Sequence, residues 1–238
     1  ATPAGNTAWV SAGNWAYAGH GQNGFGCPTS LDLATQSVLG FRPAALGSVE
    51  TGQIFNLGMM THRNNPVSSG GSTYFKGDLQ VQLTATGTVL TFPWWMWETP
   101  NNVNPCPVGP SDVLCYDQTR FTAQIAPTDI IGADGLPYQL VVQGFTSDDN
   151  GQCPATPTGA FRNDFLTAER VTTNGCLYGS MEQRRTVKVV KQVQSPYGTA
   201  PSNAFAFTST SSLAGSVWGS NFSLNAGGEL VRDYSSGE

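Results

Sequence analysis

The strongest constraint on the fold is an alternation of apolar and polar residues, because helical periodicity never persists beyond two turns. Along 79–85, leucine, valine and alanine point to one side and glutamine and threonine to the other, as in a half-buried strand. Further strands are predicted at 89–96, 121–125, 138–142 and 177–181. A weak helical pattern covers 30–38. Short strands at this spacing predict an all-β fold, in the form of a β-sandwich or jelly roll.

Charged residues are scarce, which is typical of secreted β-proteins with surfaces rich in serine, threonine, asparagine and glutamine. They make up 11% of the 238 residues, against about 25% in an average soluble domain. The formal net charge of −5 leaves no basic surface for nucleic acid, so we expect no such partner. No apolar run approaches the roughly 20 residues that cross a bilayer, so we expect no membrane span. The opening Ala1-Thr2-Pro3 is similar to the product of signal-peptide cleavage, but we expect an extracellular location from the composition and the cysteines.

The cysteines also favour an oxidising compartment. Their five positions are 27, 106, 115, 153 and 176. No CxxC pair occurs and the chain has two histidines, so structural zinc is disfavoured and disulfides are expected. We favour Cys106–Cys115, which closes a short Pro/Gly-rich loop, and Cys153–Cys176, which joins a Pro-rich loop to a strand. Each would add about 2–4 kcal/mol. Cys27 is left over as buried, free or paired outside the chain.

Composition changes near residue 184, where we predict a domain boundary. The strand that follows, 186–193, holds two of the three lysines of the chain, and further short strands are predicted at 204–208 and 221–224. The predicted domains are therefore 1–183, a β-sandwich, and 184–238, a partial Ig-like β-domain.

Several motifs in the first domain occur in the order typical of one family of bacterial surface modules. They are 51–58, 61–67, 98–101, the Cys106/Cys115 pair with Asp117 behind it, 138–145 and 177–180. With these motifs, residues 27–182 resemble the choice-of-anchor K domain. The departure is the aromatic run 94–97, where that family is more polar. The resemblance implies a β-sandwich on an exported protein, displayed through that protein's own anchor, with no catalytic activity.

The sequence Val187-Lys188-Val189-Val190-Lys191 resembles the opening of a prealbumin-like (Cna-B or SpaA-type) stalk domain. Alternation places Lys191 on one strand face with valines, and a buried unpaired ammonium group is costly. In the stalk family such a lysine forms an amide crosslink with an asparagine side chain, so Lys191 is a candidate crosslink site. The alternative is that Lys191 lies at a strand edge and extends its ammonium group into water.

Three tryptophans, Trp94, Trp95 and Trp97, are candidates for a platform on which sugar rings stack. Along a strand, Trp94 and Met96 face one way while Trp95 and Trp97 face the other. Apolar residues on both faces are typical of a strand buried between layers, so core packing is favoured over ligand binding. The sugar-binding interpretation requires at least one exposed indole.

Oxygen ligands flank the first predicted disulfide, and Glu98, Asn101 and Asp117 are candidate calcium ligands. A second acidic turn lies at 148–151. Neither has the spaced D-x-D-x-D-G pattern. Aspartate and asparagine also occur in turns simply because their side chains form hydrogen bonds with their own backbone. We therefore expect no cofactor, with calcium at these residues as the alternative. His62 raises a hydrolase alternative, but no G-x-S-x-G signature supports it, so we predict no enzyme activity.

These observations predict a non-enzymatic extracellular module of a bacterial cell surface: an adhesin head followed by the start of a stalk. Its partner would be a surface ligand, either a glycan or a host or matrix protein. One alternative is the subunit of a pilus-like filament, a homo-polymer completed by strand exchange, because half a sandwich leaves unpaired edges. A second alternative is a carbohydrate-binding module.

Overall fold

The computed structural model describes most of the chain between residues 8 and 235. The described ranges are 8–12, 15–20, 37–65, 74–101, 103–110, 114–126, 128–147, 151–191, 204–208, 222–225 and 228–235, with backbone alone for 8–12, 15–20, 185–188 and 232–235. These residues contain strands and no helix, which confirms the all-β fold. Over the same ranges, the chain has no helix of the length and apolarity that a membrane crossing needs.

The described strands, in chain order, are β1 (Ala8–Ala12), β2 (Trp15–His20), β3 (Ser37–Pro43), β4 (Ile54–Arg63), β5 (Tyr74–Gln82), β6 (Val89–Trp97), β7 (Asp117–Phe121), β8 (Ile130–Ile131), β9 (Pro137–Ser147), β10 (Asp164–Thr167), β11 (Thr172–Val190), β12 (Phe205–Phe207), β13 (Phe222–Leu224) and β14 (Glu229–Ser235). They form two compact units, one of residues 1–128 and 140–181 and one of residues 129–139 and 182–238. Strands β9 and β11 contribute to both.

Two antiparallel sheets build the first unit. In the first sheet the strand order is β1-β2-β3-β4-β11-β9, and in the second it is β10-β7-β6-β5. Strands β5 and β6 pair along their whole length, from Tyr74 opposite Trp97 to Gln82 opposite Val89. The predicted alternation is present in β6, where every second side chain is buried: Leu90, Phe92, Trp94 and Met96.

Aromatic rings join the two sheets face to face. Phe145 of the first sheet stacks on Phe121 and Phe165 of the second, with ring centroids 5.8 and 5.6 Å apart. Gly175 allows this approach, because a Cβ atom there would lie 2.8 Å from the Phe165 ring. The first unit is therefore a β-sandwich with an interior that both sheets supply.

Both predicted disulfides are formed, and both lie in the first unit. Cys106 pairs with Cys115 and Cys153 with Cys176. Cys115 and Cys176 are completely buried. Two disulfides are typical of proteins that fold in an oxidising compartment.

The described residues of the second unit form three strand pairings. β8 pairs with the start of β9, the second half of β11 pairs with β14 from Arg184 to Val190, and β12 pairs with β13. Arg184 donates to the Asp129 carboxylate over 2.5 Å. The domain boundary between residues 183 and 184, and the resemblances to the two families, stay predictions.

Several local predictions differ from the structure; for example, strand β5 ends at Gln82, so the strand predicted over 79–85 stops three residues early. Ser37 and Val38 begin strand β3, so the weak helix predicted over 30–38 is wrong at these two residues, and 30–36 lie outside the described ranges. The short strand predicted at 121–125 lies earlier, at Asp117–Phe121, because the inward alternation of β7 begins at Asp117. Ile125 makes an isolated bridge to Val141 instead.

Candidate functional site

A carboxylate lies inside the sandwich at the end of β6. Glu98 follows Trp97 and continues the inward series of Phe92, Trp94 and Met96, so the residue is only 4% exposed. An ionised carboxylate at such a place is unfavourable unless neighbours compensate its charge. The surroundings of Glu98 therefore decide what this part of the interior does.

Side chains from the facing sheet contact Glu98. Ser37 begins β3 and donates its hydroxyl to Glu98 Oε1 over 3.0 Å. His62 of β4 places Nε2 3.1 Å from the same Ser37 oxygen and 4.0 Å from Glu98 Oε1. Since the serine proton points to Glu98, the hydroxyl oxygen accepts from His62 Nε2–H. On the other side of the ring, Nδ1 lies 2.6 Å from Thr167 Oγ1.

Two more carboxylates complete this group. Asp117 begins β7, is 1% exposed and accepts a 2.8 Å hydrogen bond on Oδ1 from the backbone N–H of Thr99. Glu169 follows β10 and accepts a hydrogen bond on Oε1 from the Asn101 amide. We call Ser37, His62, Glu98, Asp117 and Glu169 the buried polar cluster. All five are at least nine-tenths buried.

The cluster disfavours negative charge on two of its carboxyl groups. Burial raises the pKa of Asp117 to about 9, and the nearby carboxylates of Glu98 and Glu169 add to the rise. Burial also raises the pKa of Glu169, and Glu98 adds to this, while the Asn101 hydrogen bond and the charge of Arg170 oppose it. The cluster therefore favours the uptake of positive charge, in the form of protons or of a cation.

Several buried oxygen atoms near these carboxylates lack a hydrogen-bond partner among the described residues. They are Asn64 Oδ1, Asn101 Oδ1, Asp117 Oδ2 and Glu169 Oε2. Buried polar atoms are nearly always satisfied in folded proteins, so these four oxygens are candidate positions for a buried water, a proton or a cation. One donor atom each from His62, Glu98 and Asp117 lies within 4.8 Å of the others.

The hydrolase alternative called for His62 beside a carboxylate and a hydroxyl, and Ser37 and Glu98 supply them. Their arrangement differs from a catalytic triad, in which the carboxylate accepts a hydrogen bond from Nδ1 of the histidine. Here Glu98 contacts the Ser37 hydroxyl and lies on the Nε2 side of the ring, and Thr167 is hydrogen-bonded to Nδ1. Ser37, His62 and Glu98 are 2%, 0% and 4% exposed, so a substrate could not reach the serine in this conformation.

The structure brings the three predicted calcium ligands into one region but adds others. Glu98 and Asp117 lie together, and Asn101 joins them through Glu169. Sequence reasoning missed His62 and Glu169 as members of this group. A signal existed for burial of Glu98, since it continues the inward face of β6. Because His62, Glu98 and Glu169 are far apart in the sequence, no pattern in the sequence predicts that they lie close together.

The opposite face of the second sheet carries an aromatic surface. Trp95 and Trp97 are partly exposed, and Tyr74 is 48% exposed. The rings of Tyr74 and Trp97 stack in parallel, with centroids 5.7 Å apart and planes inclined by 6°, and Trp95 packs against Tyr74 edge-on. We call Tyr74, Trp95 and Trp97 the aromatic patch. Trp94, the third predicted platform residue, is buried and lies against Gly77 in the core.

Polar side chains border the aromatic patch on neighbouring strands. Lys76 and Arg120 are the cross-strand neighbours of Trp95, and Gln118 is that of Trp97. Gln118 donates to Asp164 over 2.9 Å. The patch is thus a partly exposed aromatic surface with charged and amide groups at its edge.

The remaining predicted sites lie elsewhere or outside the described residues. Lys191 is 8% exposed; its Nζ lies 3.1 Å from the centre of the Phe205 ring and donates to the Leu224 carbonyl over 3.4 Å. Desolvation lowers the pKa of Lys191. The amide crosslink stays a prediction. Cys27 and residues 148–150 of the second acidic turn lie outside the described ranges.

Comparison with known proteins supplies no family for this chain. The sequence matches no protein-family model, and no curated protein resembles it significantly.

Proposed function

We propose that this chain is a non-enzymatic extracellular binding module, an adhesin-type head of a bacterial surface, and that its aromatic patch binds a carbohydrate. The observation that carries the proposal is the parallel, solvent-facing stack of Tyr74 and Trp97 with Trp95 beside it. Partly exposed aromatic rings can pack against the C–H groups of sugar rings. The two disulfides support an extracellular location.

The border of the patch suits a carbohydrate better than a purely apolar ligand. Lys76, Arg120 and Gln118 offer N–H donors beside the rings, and Asp164 offers carboxylate oxygens. A sugar needs such groups for its hydroxyls, while the rings supply the contact area. Tyrosine and tryptophan serve this double role because they are large, rigid and polar at one end.

A glycan array followed by titration of its strongest hit tests the proposal. We expect the wild-type chain to bind at least one glycan and Trp97→Ala to weaken that binding by at least about tenfold, or ~1.4 kcal/mol. Val89→Ala is the matched control, because Val89 is 45% exposed at the other end of the same strand. An array without any hit, or an equal loss in the control, would contradict the proposal.

The filament alternative has one observation in its favour. Val190 is 46% exposed and Val231 is 50% exposed, and both lie on one face of the β11–β14 ladder, since Val231 is opposite Lys188. Apolar side chains on such a face are surfaces that a second copy could cover. Light scattering during size-exclusion chromatography tests this: a strict monomer at all concentrations argues against a filament subunit.

A further inference from the structure

We propose that the buried polar cluster binds one divalent metal ion, held by His62, Glu98 and Asp117. One donor atom of each residue lies within 4.8 Å of the other two. Ligands of a common ion sit about 2.0–2.6 Å from the metal, so pairs of ligands are separated by no more than about twice that distance. The three donor atoms therefore lie close to the spacing of a coordination shell, and small side-chain movements would bring them onto one zinc or manganese ion, whose ligands are at most about 4.4 Å apart.

The unpartnered oxygens give an independent reason for a cation. Asp117 is 1% exposed, and its Oδ2 has no hydrogen-bond partner among the described residues. Glu169 Oε2 and Asn101 Oδ1, in the same region, are also buried without a partner. A metal ion would supply the positive charge that carboxylates need when they are removed from water, and hydrogen bonds from neutral groups supply less.

The polar environment also orients the ligands in the way that metal sites require. Thr99 N–H holds Asp117 Oδ1, which leaves Oδ2 for the ion. Thr167 Oγ1 holds His62 Nδ1, which leaves Nε2 on the side of Glu98. Partners of this kind fix the ring and carboxylate orientations in metalloproteins. On binding, the imidazole proton would move from Nε2 to Nδ1, which then donates to Thr167 Oγ1, so that the Nε2 lone pair is available to the ion and the ring stays neutral.

The donor set indicates the class of ion. An imidazole nitrogen with two carboxylates is typical of zinc or manganese, whereas calcium prefers oxygen ligands alone. The inference thus keeps Glu98 and Asp117 from the calcium ligands expected from the sequence, has His62 in place of Asn101, and favours a transition metal. It is independent of the carbohydrate proposal, because the cluster faces the interior and the aromatic patch faces solvent.

Elemental analysis of the purified full chain, before and after stripping, tests the proposal. Because the cluster is buried, the ion is removed by unfolding in denaturant with chelator, with disulfides intact, and refolding follows with manganese, zinc, calcium or no ion. We expect about one bound ion per chain with manganese or zinc, and a melting temperature raised by roughly 5–10 °C at hundredfold excess over Kd. No bound ion above background, with equal melting temperatures in every arm, would overturn it and would indicate that protons neutralise the cluster.

Variants separate ligation from general destabilisation. Asp117→Asn keeps the shape of the side chain and an acceptor for Thr99 N–H but removes the anionic ligand, so we expect loss of the bound ion. Asp78→Asn is the matched control, because Asp78 is an exposed residue of the same sheet, and it should bind the ion like wild type. His62→Gln should weaken manganese or zinc binding at least about tenfold. Unchanged ion content in both Asp117→Asn and His62→Gln would overturn the assignment, and the stripped wild type decides the question even if a variant does not fold.

Discussion

The same two sheets enclose two regions of opposite chemistry. In one, Phe121, Phe145 and Phe165 stack between the sheets and all are nearly inaccessible to solvent. In the other, the buried polar cluster places carboxylates and an imidazole at an equal depth. The two regions share strands: β7 supplies Asp117 at its start and Phe121 at its end. The interior therefore changes from polar to apolar within the five residues of β7.

This difference shows that burial alone does not identify the stabilising core. The aromatic region gains free energy from area removed from water. The polar cluster loses free energy by desolvation and recovers it through hydrogen bonds and, on our proposal, through an ion. Each region also has its own disulfide: Cys115 lies two residues before Asp117, and Cys176 follows Gly175, which packs against the Phe165 ring.

The largest effect is expected in the aromatic region. Phe145→Ala should lower the free energy of unfolding by about 3–5 kcal/mol, because the ring contacts two others and leaves a cavity. Urea denaturation measures this, with Val89→Ala as the exposed control. The deficit should be the same with and without metal ion. A deficit that disappears when metal is removed would break the distinction between the two regions.

Removal of the disulfides should distinguish the regions again. Cysteine-to-alanine replacement of Cys153 and Cys176, which are separated by 23 residues, should cost about 3 kcal/mol. Replacement of Cys106 and Cys115, separated by 9 residues, should lower the free energy of unfolding slightly less. It should weaken metal binding more than the first replacement does, because the Cys106–Cys115 loop leads into Asp117. Denaturation under non-reducing conditions and metal titration give the two numbers. Equal metal affinities in both double variants would contradict the expected effect of the Cys106–Cys115 disulfide on metal binding.

A smaller effect is expected inside the polar cluster. Glu98→Gln keeps the shape of the side chain and an acceptor for the Ser37 hydroxyl. With the ion bound, it should therefore lower the free energy of unfolding by only about 1–3 kcal/mol. In the ion-free protein it should be neutral or stabilising, because it removes a buried charge. Thermal melts with and without manganese compare the two states. A cost that is the same in both states would show that Glu98 acts through hydrogen bonds alone.

The smallest effect belongs to the outer face of the same sheet. Trp97→Ala should cost only about 0.5–1.5 kcal/mol of stability, the contribution of one exposed aromatic pair with Tyr74. The same urea series measures it. A loss of stability equal to that of Phe145→Ala would mean that Trp97 belongs to the core. It would contradict the proposal that the aromatic patch is a ligand-binding surface.

Much of this comparison was accessible from sequence, and the rest was not. Alternation predicted the all-β fold, and it predicted opposite faces for Trp94 and Trp95, because side-chain direction along a strand has a strict period of two. The short cysteine loop favoured the pairing Cys106–Cys115. By contrast, His62 meets Glu98 only through the stacking of one sheet on the other. Such long-range meetings depend on strand order, which alternation does not encode.

Crystals of the chain grown with manganese provide the most direct test of the central claim, that the polar region of the interior is a metal site. Anomalous diffraction above the manganese edge should give one strong peak between His62 and Asp117, within coordination distance of both and of Glu98. Absence of any peak at that position, with Ser37 still bridging His62 and Glu98 by hydrogen bonds, would contradict the account.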